Sequence, residues 1–159
     1  MMKRLLWLLL PALALFLDWA SKQWILTHLQ PGEILPVIPG FFNLTLGFNS
    51  GAIFGFLASA PEALRHTLFL IAGVGALGYF GYEFLKPDTS RCQRVALGLI
   101  LGGAMGNGLD RVVHGKVVDF LDFIFFGWRY WTFNIADSCI VVGAILLGLS
   151  LLRHKPAKA

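Results

Sequence analysis

Phe133-Asn134-Ile135-Ala136-Asp137-Ser138 runs without a break into Cys139-Ile140-Val141-Val142-Gly143-Ala144-Ile145-Leu146-Leu147-Gly148-Leu149-Ser150-Leu151-Leu152. As a helix, rising about 1.5 Å per residue, this stretch matches the ~30 Å hydrocarbon layer of a bilayer. An acid in its first turn is therefore out of place. A carboxylate at such a site costs several kcal/mol unless the protein has a use for it. A second acid, Asp119, sits in the polar cluster Gly115-Lys116-Val117-Val118-Asp119-Phe120, which adjoins another apolar run near the same predicted membrane face. Two acids converging there can share a proton and activate water.

The remainder of the chain supports a membrane reading. Of its 159 residues 57% are hydrophobic and only 14% charged, and the mean hydropathy is +0.70, more apolar material than one soluble core can hide. The net charge of +4 comes from basic residues scattered at the ends of apolar runs. They form no dense patch of the kind that binds nucleic acid. Four runs, Leu5 to Ser21, Leu64 to Leu85, Val95 to Leu109 and Phe133 to Leu152, predict transmembrane helices over about 5–24, 64–85, 93–110 and 133–152. The fold class expected is an α-helical integral membrane protein, one domain over 1–159.

If all four runs span, Lys3-Arg4, the connection from Lys86 to Arg94, and the tail with Arg153, Lys155 and Lys158 fall on one side. The excess of Lys and Arg makes that side cytoplasmic. Lys3-Arg4 with Leu5 to Leu17 and Ala12-Leu13-Ala14 also resembles a cleavable signal peptide. A cut there would leave three spans and reverse the charge rule, so the segment is expected to stay as the first helix. Cys92 and Cys139 fall near opposite ends of different runs, beyond the ~7 Å Cα separation a disulfide allows, and read as free thiols. No CxxC or HExxH pattern occurs, and His28, His66, His114 and His154 are isolated; neither a metal site nor a cofactor is expected.

Two segments, about 25–63 and 111–132, remain on the outer face. In the first, Phe42, Leu44, Leu46 and Phe48 alternate with Asn43, Thr45 and Gly47, the period of a half-buried strand. Asn49-Ser50-Gly51 reads as a turn and Ile53 to Phe56 as a return strand. The expectation is a small sheet at the interface with Trp24, Phe41, Phe42, Phe54 and Phe56 against the headgroups; a surface loop anchored by the same aromatics fits equally. Phe120, Phe123, Phe125, Phe126, Trp128, Tyr130 and Trp131 predict that the second segment also dips into the interface. Gly98, Gly102 and Gly106 form a small-residue ridge for close helix approach, within the chain or between chains.

Each polar cluster has a plainer alternative. Asp18 and Lys22, four residues apart with the acid first, make a favoured helical ion pair that can simply snorkel to the interface. Asn107, Asp110 and Arg111 share one helix face, where a guanidinium can hold a carboxylate or a backbone carbonyl. Asn134-x-x-Asp137 is also a capping-box spacing. Asp119 can be an interfacial loop acid, as Asp122 is expected to be.

Taken together, Asp18-x-x-x-Lys22, Asn49-Ser50-Gly51-Ala52-Ile53-Phe54, Gly106-Asn107-Gly108-Leu109-Asp110-Arg111, Gly115-Lys116-Val117-Val118-Asp119-Phe120 and Phe133-Asn134-Ile135-Ala136-Asp137 resemble, in order, the motifs of bacterial lipoprotein signal peptidase, or signal peptidase II. Phe48 and Ile53 depart from that pattern, which has a polar or basic residue and a small one there. The resemblance implies an intramembrane aspartyl endopeptidase of the bacterial inner membrane, with both termini cytoplasmic and the site near the periplasmic face. Its implied substrates are diacylglyceryl-modified prolipoproteins, cut before the lipidated cysteine, and membrane lipids and inhibition by globomycin-type cyclic peptides come with it. Asp119 and Asp137 would be the catalytic pair; Asn49, Gly51, Asn107, Arg111 and Asn134 would line or support the site; Asp18, Lys22 and Asp110 would be structural. The rival from another class is a small transporter or proton channel, which also uses intramembrane acids.

Overall fold

The computed structural model describes residues 6–51 and 61–153. A short 3-10 turn, Leu6–Leu8, leads into α1 (Leu9–His28); α2 (Glu62–Leu85), α3 (Arg91–His114) and α4 (Ile135–Arg153) complete the helices. The helix ends follow from local chemistry. Pro87 disfavours helical geometry at Lys86, where α2 stops. Ser90 opens α3 with a full capping box, its Oγ accepting from the Gln93 amide at 3.2 Å and its own amide donating to Gln93 Oε1 at 3.1 Å. Gly115 closes α3 in the left-handed region, φ 69°, a conformation that turns the chain at once into the strand carrying Asp119.

Helix α3 packs against each of the other three helices. The glycine ridge explains how closely, and it is used within the chain. A Cβ at Gly98 would lie 2.9 Å from Leu10, one at Gly102 would lie 2.6 Å from the Ala14 Cβ, and one at Gly106 would overlap the Asp18 carboxylate, all on α1. On its other side α3 meets α4: a Cβ at Gly103 would strike the Ala136 carbonyl, and one on Gly143 would sit 2.7 Å from the Ala96 carbonyl.

Among the described residues two helices are long and apolar enough to cross a membrane, over Thr67–Leu85 and Ile135–Leu152, and only 6% and 11% of those windows are buried by protein. Their outward faces, with Ile71, Val74, Tyr82, Val141 and Ile145 exposed, suit lipid rather than water. Helices α1 and α3 contribute Asp18, Lys22, Asn107 and Asp110 to the buried polar residues, and Asn43, Asp119, Asp122 and Asn134 join them from the sheet and the start of α4.

The sheet differs from the expectation in its partners. It has four antiparallel strands in the order β1 (Ile34–Ile38), β2 (Phe42–Asn49), β3 (Val117–Phe125) and β4 (Trp128–Arg129). The alternating segment forms β2 as read, but its neighbours are β1 and β3, so the two outer segments join in one sheet. The expected return strand at 53–56, with Phe54 and Phe56, lies outside the described residues. β2 and β3 pair through Phe42 with Phe123, Leu44 with Leu121 and Gly47 with Asp119, and the register shifts between Leu44 and Gly47.

One face of this sheet buries Leu46, Val118 and Phe120 against Ile25 of α1 and Leu29 just past its end; Phe120 is thus core rather than interfacial. Trp24, Phe41, Phe125, Phe126, Trp128, Tyr130 and Trp131 are exposed, while Phe42 stacks on Phe123 at 4.6 Å. Asp122 is no loop acid. It is buried in β3, accepts from Asn43 Nδ2 at 2.8 Å and pairs with Arg129 Nε at 3.2 Å, which locks β2 to β3 and accounts for its burial without a role in chemistry.

Candidate active site

Four carboxylates from separate elements, Asp18, Asp110, Asp119 and Asp137, gather into one polar network between α1, α3, α4 and β3. Lys22 is its cation. Its ammonium lies 2.6 Å from Asp18 Oδ2, 2.9 Å from Asp110 Oδ2 and 3.1 Å from Asn107 Oδ1, so all three of its donors have acceptors. At 1% exposed it does not snorkel. The i,i+4 pair with Asp18 forms as the spacing predicts, but points inward. Asp18 also accepts the Ala136 amide at 2.8 Å, one of the unpaired N–H groups opening α4, and Asp110 accepts the Val118 amide at 2.9 Å, fastening β3 one residue from Asp119.

The two leading acids are joined through a pair of side-chain amides. Asn134 Nδ2 donates to Asp119 Oδ1 at 2.8 Å, to the Val118 carbonyl at 3.2 Å and to Asn107 Oδ1 at 3.1 Å. Asn107 Nδ2 in turn donates to Asp137 Oδ1 at 2.7 Å. Asn134 is also a helix cap, since its Oδ1 accepts the Asp137 amide at 2.8 Å. Only half of the capping box forms, because the Asp137 carboxylate takes the Asn107 amide as its donor. The side chain of Asn134 thus caps α4 and reaches Asp119 at once.

The other expected residues surround this chain of bonds. Asn49 hydrogen-bonds Asp119 and accepts the Gly51 amide at 3.0 Å, so the end of β2 reaches Asp119; Ala52, Ile53 and Phe54 of that motif lie outside the described residues. Arg111 reaches the Asn107 carbonyl at 3.5 Å and lies over the Phe69 ring at 5.1 Å. Its charge is felt by Asp137, Asp119 and Asp110, an electrostatic rather than a forked contact.

Asp119 is only 4% exposed. Burial, reinforced by the negative charge of Asp137, pushes its carboxyl from 3.8 up to about 7, against the pull of hydrogen bonds from Asn49 and Asn134 and of the charge on Lys22. It can hold a proton at neutral pH. Asp137 opens α4, where the helix dipole favours negative charge. Asn134 and Asn107 thus link a carboxyl raised by burial to one at a helix N-terminus, and hydrolysis through an activated water uses an acid and a base together.

Known proteins match the chain over nearly its whole length. The model of the family described as signal peptidase (SPase) II matches residues 10–153. The chain is similar to the lipoprotein signal peptidase of Chromobacterium violaceum, with 40% identity over 96% of this chain and 93% of that one, and to that of Syntrophus aciditrophicus, with 40% identity over 98% and 97%. A solved bacterial membrane enzyme, determined by the in meso method at 2.3 Å, superposes with a TM-score of 0.83 at 34% identity over 96% of this chain and 93% of that one. The family model and the relatives agree: the chain belongs to the signal peptidase II family.

Proposed function

We propose that Asp119 and Asp137 are the catalytic pair of this peptidase. Family membership gives the reaction: the chain is an aspartic protease that removes the signal peptide from prolipoproteins in the bacterial inner membrane. The observation that supports the pair is the hydrogen-bonded path Asp119–Asn134–Asn107–Asp137, which holds both acids in one frame built from α3, α4 and β3.

Asp137, ionised, takes a proton from water as the water oxygen bonds to the scissile carbonyl carbon. Asp119 gives its proton to the carbonyl oxygen, so charge does not build up on that oxygen. When the tetrahedral species collapses, the C–N bond breaks, the leaving amine takes the proton held by Asp137, and the new carbonyl returns the other to Asp119. Asn107 and Asn134 keep both carboxyl groups oriented through the cycle. Arg111 balances charge in the cluster, and Asn49 and Gly51 close the site from the sheet. Asp18, Lys22 and Asp110 hold α1, α3, α4 and β3 together.

In this reading all four helices cross the membrane, over about 5–24, 64–85, 93–110 and 133–152, and the chain is a single domain. Arg91 and Asp110 lie 19 residues apart on α3, about 28 Å of helix. The basic α2–α3 connection and the acids thus lie at opposite ends of a span. With the basic end cytoplasmic, both termini are cytoplasmic, and the sheet and the acids face the periplasm. Water reaches the acids there while the apolar signal helix stays in lipid. The diacylglyceryl chains of the substrate stay in the membrane and bring the bond before the lipidated cysteine to the acids. Membrane lipids are the surrounding partners, and globomycin-type cyclic peptides occupy the same site. The transporter reading is not favoured: the four network acids form one bonded cluster rather than a relay spread across the membrane.

Purified protein in detergent is given a diacylglyceryl-modified prolipoprotein. Asp119→Asn and Asp137→Asn should each abolish cleavage while the folded protein remains; normal cleavage by either removes the pair from the mechanism.

A further inference from the structure

Lys22 touches neither of the two acids through a hydrogen bond, yet it occupies the position that decides which way Asn107 faces. An amide side chain can flip, presenting oxygen or NH2 to a given neighbour. At Asn107 the choice is forced. Its Oδ1 receives Lys22 Nζ and Asn134 Nδ2, each at 3.1 Å. The ammonium is a donor with no acceptor capacity. The Asn134 amide is fixed in turn, because its oxygen already accepts the Asp137 N–H, a backbone donor that cannot reverse. With both lone pairs of Oδ1 filled, the NH2 of Asn107 must point to Asp137, where it donates at 2.7 Å. A flipped Asn107 would set NH2 against an ammonium and against another NH2, and oxygen against a carboxylate.

We infer that Lys22 is a positioning residue for the reaction: acting through Asn107, it keeps a hydrogen-bond donor on the Asp137 carboxylate and so holds that carboxylate as the acceptor of the water proton. This rests on the reading of Asp119 and Asp137 as the catalytic pair. Among the described residues the charged groups facing the assembly are Asp18 on α1, Asp110 and Arg111 on α3, Asp119 on β3 and Asp137 on α4. None of them supplies a donor to Asn107 Oδ1 in place of Lys22, so the lock depends on this one side chain and on Asn134.

The test removes the donor without changing the charge of the cluster. Lys22→Met combined with Asp110→Asn deletes one positive and one negative charge and leaves no side-chain N–H at position 22, and the side-chain amide introduced by Asp110→Asn still offers an oxygen to the Val118 N–H. Asn107→Asp is the second variant; it leaves acceptors for Lys22 and Asn134 but takes the donor away from Asp137. Cleavage of a lipidated prolipoprotein in detergent is followed together with thermal unfolding. Each variant should lose about a hundredfold in kcat with KM within about twofold, and Lys22→Arg, which keeps a pure donor, should recover most of the rate. The inference is overturned if the Lys22→Met/Asp110→Asn protein folds and keeps its kcat, or, should that protein not fold, if Asn107→Asp keeps its kcat. It is overturned equally if Lys22→Arg is as inactive as Lys22→Met/Asp110→Asn while folded. Inactive Asp119→Asn and Asp137→Asn beside unaffected Lys22 and Asn107 variants would reject the positioning role alone; full activity in the Asp variants would reject the catalytic pair on which it rests.

Discussion

Replacing Asp119 by Asn should abolish activity and yet stabilise the protein above neutral pH. The folded carboxyl titrates at about 7 against an ordinary value of 3.8. The native state therefore binds more protons than the unfolded chain between these two values, and stability falls as pH rises through that window. At about 1.4 kcal/mol per unit the raised value corresponds to roughly 4 kcal/mol, absent near pH 4 and fully expressed above pH 7. Asn cannot ionise, so Asp119→Asn escapes the cost, and its oxygen can still accept from Asn134 Nδ2. Thermal unfolding of both proteins in one detergent, followed by tryptophan fluorescence from pH 4 to 8, measures the difference. The variant should unfold at a higher temperature than the parent at pH 8, and the two should converge toward pH 4. Parallel curves with a constant offset, or a less stable variant at pH 8, would refute the claim that burial holds a proton on Asp119.

Other outcomes follow from the same contacts. With Asp119 as the proposed acid, kcat should fall as pH rises through about 7, and a rate still climbing at pH 9 would contradict that role. Lys22→Met strips the cation from two buried carboxylates and should destabilise the fold by about 3–5 kcal/mol, read as a lowered unfolding temperature. Gly103→Ala places a methyl against the Ala136 carbonyl and should cost about 1–3 kcal/mol. Gly108→Ala, where nothing lies within 4 Å of the added Cβ, should be neutral or stabilising by up to about 1 kcal/mol; unfolding temperatures ranking the two in reverse would refute the assigned packing of α3 on α4. Asn134→Ala removes the cap of α4 together with the bond to Asp119, and should lower stability by about 0.5–2 kcal/mol and the cleavage rate much further.

The parts of this molecule that local chemistry dictates were open to reading from the chain. The length of the apolar runs marks α2 and α4 as candidate spans, and the glycine spacing on α3 marks the face that meets α1. What stayed hidden depends on partners far away in sequence. β3 bears acids at 119 and 122, so its strand period is masked; the acids are tolerated because Asn43, Arg129 and Asn134 arrive from other elements to pair them. Asn43 looked like the solvent side of an alternating strand, and its burial follows only from the position of Asp122 across the ladder. In the same way the spacing of Asp18 and Lys22 says that they pair but not which way they point. Their inward turn becomes visible once Gly106 leaves room for the Asp18 carboxylate and Asp110 and Asn107 offer the ammonium further acceptors.

The central claim is that two acids act as one device. A kinetic cycle on a lipidated prolipoprotein, comparing the parent, Asp119→Asn, Asp137→Asn and the double variant, addresses it most directly. Groups that act as a unit lose their function together, so each single variant should be as inactive as the double. A single variant that retains a substantial part of the parent rate, or losses that multiply in the double variant, would contradict it.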